Sequence, residues 1–107
     1  CLTEVGSAIH DVADHHGFDT VTKYCGHGVG SAFHMFPYVQ HFRNDLRVKL
    51  IPGMTFTIEP ILTEGKQATG VWSDGWTVYT RDGGRAAQFE HVVLITNDGH
   101  EILTVPT

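Results

Sequence analysis

A chain of 107 residues holds one domain at most, since domains usually run to about 100–150 residues. Its 41% hydrophobic and 18% charged residues describe a globular rather than a disordered polypeptide. A net charge of −5 without any basic run speaks against a nucleic-acid backbone as partner. Two cysteines are too few for a disulfide framework, and there is no apolar run of the ~18 residues that a membrane span requires.

Leu2, Val5, Ala8, Ile9, Val12 and Ala13 recur at the three- and four-residue steps of one helical face, which predicts a leading helix. Thr3 is its expected cap and Gly17 its expected stop. His15 and His16 fall at its C-terminus, where imidazole complements the helix dipole without further purpose, and His10 is expected on its surface. Thr20 to Cys25 is a strand candidate. Gly26-His27-Gly28-Val29-Gly30 then holds three glycines in five residues, where backbone must turn or pack closely. Pro52-Gly53 marks a turn, and Met54 to Leu62 is a strong strand run. Trp76 to Thr80 and Ala86 to Thr96 form an expected hairpin around Asp82-Gly83-Gly84. Asn97-Asp98-Gly99 is a tight turn leading into Glu101 to Val105. One helix followed by antiparallel strands is an α+β arrangement.

The candidate chemistry lies in polar residues set among apolar or glycine-rich neighbours. Glu59 sits in a strand-like segment where Thr55, Thr57 and Glu59 share one face; Glu90 sits before Val92-Val93-Leu94-Ile95, with Gln88 beside it. A buried carboxylate needs a partner. A metal ion is one, and Arg81 or Arg85, nearby in sequence, is another. The glycines around His27 leave its ring uncrowded, and His34 follows seven residues later. One imidazole with two carboxylates suits Mn, Fe, Co or Zn in a hydrolytic site, although either histidine alone also reads as an ordinary loop residue. Cys25 and His27 form a C-x-H pair, but a zinc role needs two further ligands and a cysteine nucleophile needs a third orienting group. His41 and His100 lie among turn and polar residues and are expected at the solvent. Trp72 and Trp76 flank Asp74-Gly75, where a tryptophan either packs or walls a pocket.

Tyr24-Cys25-Gly26-His27-Gly28-Val29-Gly30, Phe33-His34, Pro52-Gly53-Met54-Thr55-Phe56-Thr57-Ile58-Glu59-Pro60, Asp74-Gly75-Trp76-Thr77 and Gln88-Phe89-Glu90-His91 occur in that order. Together they resemble type I methionine aminopeptidases, over nearly the whole chain. The spacing of 31 residues from Glu59 to Glu90 leaves no room for the insertion of type II enzymes. Xaa-Pro peptidases share the fold but lack the Asp-Gly-Trp-Thr and Gln-Phe-Glu-His wording.

The resemblance implies the pita-bread fold, with residues 1–107 as the C-terminal half of a catalytic domain: one leading helix and a curved antiparallel sheet. It implies two divalent metal ions (Co, Mn, Fe or Zn) with His27, Glu59 and Glu90 as ligands and Glu90 bridging. His34 would contact the substrate at the scissile bond, and Glu59 would also act as general base. Phe33, His34, Ile61, Trp76 and Gln88 would bind substrate. A monovalent cation held through the main chain is a further implied cofactor, with Ala86 where serine is frequent. Two aspartates and a histidine of the family's site have no match here, which makes the missing N-terminal half of the same protein a required partner. The implied substrate is the N-terminus of a nascent polypeptide, in a monomeric cytoplasmic parent, with neither nucleic acid nor membrane as partner. The 107 residues alone are expected to be inactive. A pita-bread module that binds peptide without catalysis is the alternative from another class.

Overall fold

The computed structural model describes residues 1–106. Helix α1 spans Leu2–His15 and turns Leu2, Gly6 and Ala13 inward. Cys1 rather than Thr3 occupies its N-cap: the backbone nitrogen of Cys1 donates to Glu4 Oε2 at 3.3 Å, and the Glu4 amide donates to the Cys1 carbonyl at 3.1 Å. The Thr3 hydroxyl turns to Cys1 Sγ instead. Gly17, with φ of 73°, takes the left-handed position that ends the helix, as expected.

Among the described residues ten short strands follow: β1 (Asp19–Thr20), β2 (Gly26–Gly28), β3 (Met35–Val39), β4 (Thr55–Ile58), β5 (Ile61–Thr63), β6 (Thr69–Val71), β7 (Val78–Thr80), β8 (Ala86–Gln88), β9 (His91–Ile95) and β10 (His100–Ile102). They form a five-stranded sheet in the order β10-β9-β4-β2-β3, a three-stranded sheet β1-β5-β8 and the ribbon β6-β7. Every ladder among the described residues is antiparallel. The core lies under the larger sheet, where Leu2, Val39, Phe56 and Val93 are buried against Val48, Ile58 and Ile95.

Several expected elements are corrected. The strand from Thr20 to Cys25 stops at Thr20, because the Thr22 amide and hydroxyl both donate to Gln67 Oε1 at 2.8 Å and leave the ladder. Strand β3, with Pro37 at its centre, is an element beyond those that the sequence reading names. The hairpin joining residues 76–80 to 86–96 does not form. Strand β7 pairs with β6, and β8 pairs with β5. Asp82 explains the exchange: it accepts from the Lys66 amide at 2.7 Å and the Gly84 amide at 2.9 Å, while Arg85 donates to Glu64 through its amide and its Nε. These bonds fold the turn back onto residues 64–66 and carry the following strand to β5. The turn at residues 97–99 does connect paired strands, β9 and β10.

The two long strands expected over residues 54–62 and 86–96 are each broken once, at matching places. Ile58 pairs with His91 in one sheet and Ile61 pairs with Gln88 in the other. The chain therefore passes from the five-stranded to the three-stranded sheet at Glu59-Pro60, and back at Phe89-Glu90. Pro60 has no N–H for a ladder, so the break falls where the ladder cannot continue.

Strand β2 is squeezed between β3 and β4, and its glycines make that possible. A Cβ on Gly26 would run into the Thr57 carbonyl oxygen, and one on Gly28 into the Phe36 carbonyl oxygen. Backbone of a neighbouring strand cannot yield as a flexible side chain can. Gly26→Ala should therefore lose about 1–3 kcal/mol of stability in denaturant unfolding. Gly99→Ala, whose Cβ would meet only Thr96 Oγ1 at 4.0 Å, should stay within about 0.5 kcal/mol of wild type. Equal effects at the two positions would refute this account of β2.

Candidate metal centre

Both strand breaks deliver a carboxylate to the same place. One ligand atom each from His27, Glu59 and Glu90 lie within 4.8 Å of one another, the one such group of His, Cys, Asp or Glu among the described residues. His27 is buried, Glu59 half-buried and Glu90 exposed, so the cluster opens outward on the Glu90 side. His27 comes from β2, whose Gly28 pairs with Phe56 of β4. Its Nδ1 lies 3.1 Å from the Gly28 carbonyl. With a proton donated there, Nε2 keeps its lone pair and faces Glu59 Oε2 at 3.9 Å.

Burial, and then the Glu90 carboxyl beside it, push the Glu59 carboxyl up to about 6, against the smaller opposing pull of His27 and the Thr57 hydroxyl. Such a set consists of acceptors that cannot satisfy one another without protons or a cation. One imidazole nitrogen and two carboxylates in mutual reach fit a divalent cation of the Mn, Fe, Co or Zn kind. The expected salt-bridge alternative is not seen. Arg85 pairs with Glu64, and Arg81 Nε donates to the Thr69 carbonyl at 2.8 Å.

Around the cluster, the His34 ring lies 4.1 Å from that of His27, centroid to centroid. Phe33 packs edge-on to His34 at 4.5 Å and stacks on His27 at 5.9 Å, yet is 77% exposed. The Gln88 side-chain amide donates to the Glu59 carbonyl at 3.0 Å. Ile61, paired with Gln88 in register, joins it in lining a cavity of about 200 Å³ with Val21, Thr63 and Tyr79. Trp76 is not brought to this group by any described contact. It stands 86% exposed on the β6-β7 ribbon's connecting turn. Asp74 shapes that turn, accepting from the Thr77 hydroxyl at 2.6 Å and from the Trp76 and Thr77 amides at 2.9 Å. The same bonds, the hydroxyl's first, hold the Asp74 carboxyl below its usual range. Cys25 has no ligand set; burial, then the Glu59 charge, push its thiol up.

Two residues at the cluster escaped the sequence reading. Thr57 is buried, its hydroxyl accepting the His27 amide at 3.0 Å and tempering the rise of the Glu59 carboxyl. Its shared face with Glu59 was the available signal. His41, expected at the solvent, is 1% exposed. The Glu59 amide donates to its Nε2 at 3.2 Å, and its own carbonyl accepts from the Thr20 hydroxyl at 2.9 Å. Burial lowers this ring to about 4, so it is neutral near pH 7 and can accept. Gln40, Arg43 and Asn44 close by in sequence concealed this position, which tertiary packing alone creates.

Residues 1–97 match metallopeptidase family M24. The chain belongs to that family. Among its relatives, methionine aminopeptidase 1D of Arabidopsis thaliana, named as chloroplastic/mitochondrial, is 52% identical over 94% of this chain and 29% of its own length. The methionine aminopeptidase of Escherichia coli K12 is 47% identical over 97% of this chain and 40% of its own length. The M24 chain thus spans well under half the length of these relatives. Crystal structures of methionine aminopeptidases from Thermotoga maritima and Rickettsia prowazekii superpose with TM-scores of 0.92 and 0.91, at 42% and 40% identity. They cover 98% and 97% of this chain, and it covers 43% of each. The fold is therefore the α+β pita-bread fold of the methionine aminopeptidases, and the family implies binding of a divalent metal. No helix among the described residues is long and apolar enough to cross a membrane.

The Thr57 hydroxyl receives the His27 amide, so its removal leaves a buried N–H without a partner. Thr57→Val should lower stability by about 1–3 kcal/mol, and Thr57→Ser, which keeps the hydroxyl, by clearly less. Unfolding midpoints of the two variants check this.

Proposed function

We propose that this chain supplies the C-terminal half of a methionine aminopeptidase catalytic domain, which removes the initiator methionine from nascent polypeptides. One observation carries the reading. His27, Glu59 and Glu90 converge within 4.8 Å, with His34 against the His27 ring, in a chain 47–52% identical to proteins named methionine aminopeptidase.

In this reading His27, Glu59 and Glu90 hold two divalent ions together with donors from the N-terminal half, the partner that the 107 residues lack. Bound cations there supply positive charge for the peptide carbonyl and acidify the attacking water. Glu59 takes the proton from that water at its carboxylate and returns it to the leaving amine. His34 holds the peptide at the scissile bond by hydrogen bonding through its exposed ring. Phe33 offers a free aromatic face to the methionine thioether, which packs well on aromatic rings. Ile61 and Gln88 lie on the Glu59 side of the pocket, and Trp76 is a further lining residue for the methionine side chain. The setting is the cytoplasm, where nascent chains emerge, with organelles as the setting that the Arabidopsis relative's name supplies. The 107 residues by themselves bind metal weakly and do not turn over peptide.

The test uses the full-length polypeptide that carries this sequence, loaded with Mn or Co and assayed on a Met-Ala peptide. Glu59→Ala and Glu90→Ala should each cost about 10²–10⁴-fold in kcat. Chelation should abolish hydrolysis, and added metal should restore it. Near-normal turnover by either variant would overturn the role assignments. Cleavage of an Ala-Pro peptide in preference to Met-Ala would replace the substrate.

A further inference from the structure

Glu59 stands between two ladders. Its backbone N–H and C=O therefore have no strand partner of the kind that Thr55–Ile58 and Ile61–Thr63 have. Side chains take both. The Gln88 amide binds the carbonyl at 3.0 Å, and the His41 ring receives the N–H at 3.2 Å. His41 is unlike its neighbours in being almost wholly buried and in touching both sheets. Its ring holds the end of β4, while its carbonyl holds the Thr20 hydroxyl of β1 at 2.9 Å. It lies outside the three-residue ligand cluster, and its Nε2 is already occupied by the Glu59 amide.

We propose that His41 is a positioning residue for the metal centre: its ring nitrogen fixes the backbone at Glu59 and so sets where that carboxylate leaves the sheet. The idea rests on the reading of Glu59 as a metal ligand and adds a residue to it. An amide N–H can be received only by an unprotonated ring nitrogen, so the bond requires a neutral His41 with its proton on Nδ1. Without the acceptor, the Glu59 amide at a half-buried corner loses its partner, and the strand end is free to shift. A displacement of about 1 Å at a ligand carboxylate is enough to weaken a metal site. Residues that orient ligands in this way commonly change metal affinity by about 10–100-fold when replaced.

The experiment uses the full-length polypeptide. His41→Phe fills the space without an acceptor, and His41→Gln restores one through its side-chain oxygen. Mn²⁺ binding to the metal-free proteins is measured by calorimetry, beside the metal-free unfolding temperature and the kcat and KM for a Met-Ala peptide. His41→Phe should bind Mn²⁺ about 10–100-fold more weakly and lose kcat with little change in KM. His41→Gln should recover most of the affinity, although both variants unfold at similar temperatures. Wild-type affinity in folded His41→Phe overturns the proposal, as does equal weakness of the Phe and Gln variants. Should His41→Phe fail to fold, the decision passes to the wild-type protein by NMR. A scalar coupling across the hydrogen bond, from the Glu59 amide nitrogen to His41 Nε2, is expected, and its absence overturns the idea. Glu59→Ala separates the two readings. Unchanged Mn²⁺ affinity there removes Glu59 from the ligand set, while the coupling to His41, which needs only the backbone, is still observed.

Discussion

Two carboxylates brought together beside a buried imidazole are the constraint around which this chain is organised. Glu59 and Glu90 would separate if their strands were free to slide, since burial and then the Glu90 carboxyl both disfavour the charged form of Glu59. The register forbids it. Four paired positions from Thr55 to Ile58 lock one side of the break, and three from Ile61 to Thr63 lock the other. A one-residue slip would turn Phe56 and Val93 out of the core. Hydrophobic burial elsewhere thus holds in place an arrangement that is electrostatically unfavourable until a cation joins it.

Holding the carboxylates together requires the third strand to come unusually near. Gly26 and Gly28 have no Cβ to keep β2 away from the Thr57 and Phe36 carbonyls, and the His27 between them arrives with its ring buried. One hydroxyl then serves two purposes, as Thr57 receives the His27 amide and tempers the rise of the Glu59 carboxyl. The main-chain hydrogen bonding of the fold and the geometry of the cluster are therefore the same set of contacts. Perturbing one moves the other.

Local signals in the sequence were sufficient for the helix, the Gly17 stop and the turn at residues 97–99, because apolar periodicity and left-handed glycine act over a few residues. Glu59 and Glu90 were legible as misfits, charged groups inside strand-like runs. Their meeting was not readable from period alone, since it depends on two breaks falling opposite each other. Pro60 hinted at the first break, but nothing in Phe89-Glu90 marks the second. The wrong hairpin has the same origin. Residues 81–85 look like a turn joining neighbours until Asp82 and Glu64 tie them to residues 64–66, bonds that span 16 and 21 positions. His41 is the furthest from local reading. Gln40, Arg43 and Asn44 stand near it in sequence, and its burial is produced by β1 and by the end of β4, from distant parts of the chain.

The open side of the cluster has its own logic. Phe33 and Phe89 are 77% and 80% exposed, and Glu90 lies on the solvent side with them. Large aromatics left this bare are unusual for a surface that meets only water, and they mark a place where another surface belongs. The donor count points the same way. Three ligand atoms leave a divalent ion short of the four to six that it ordinarily takes. Water can fill vacant positions, but it cannot cover two aromatic rings. A protein segment that contributes both oxygen donors and apolar cover satisfies the two deficits at once.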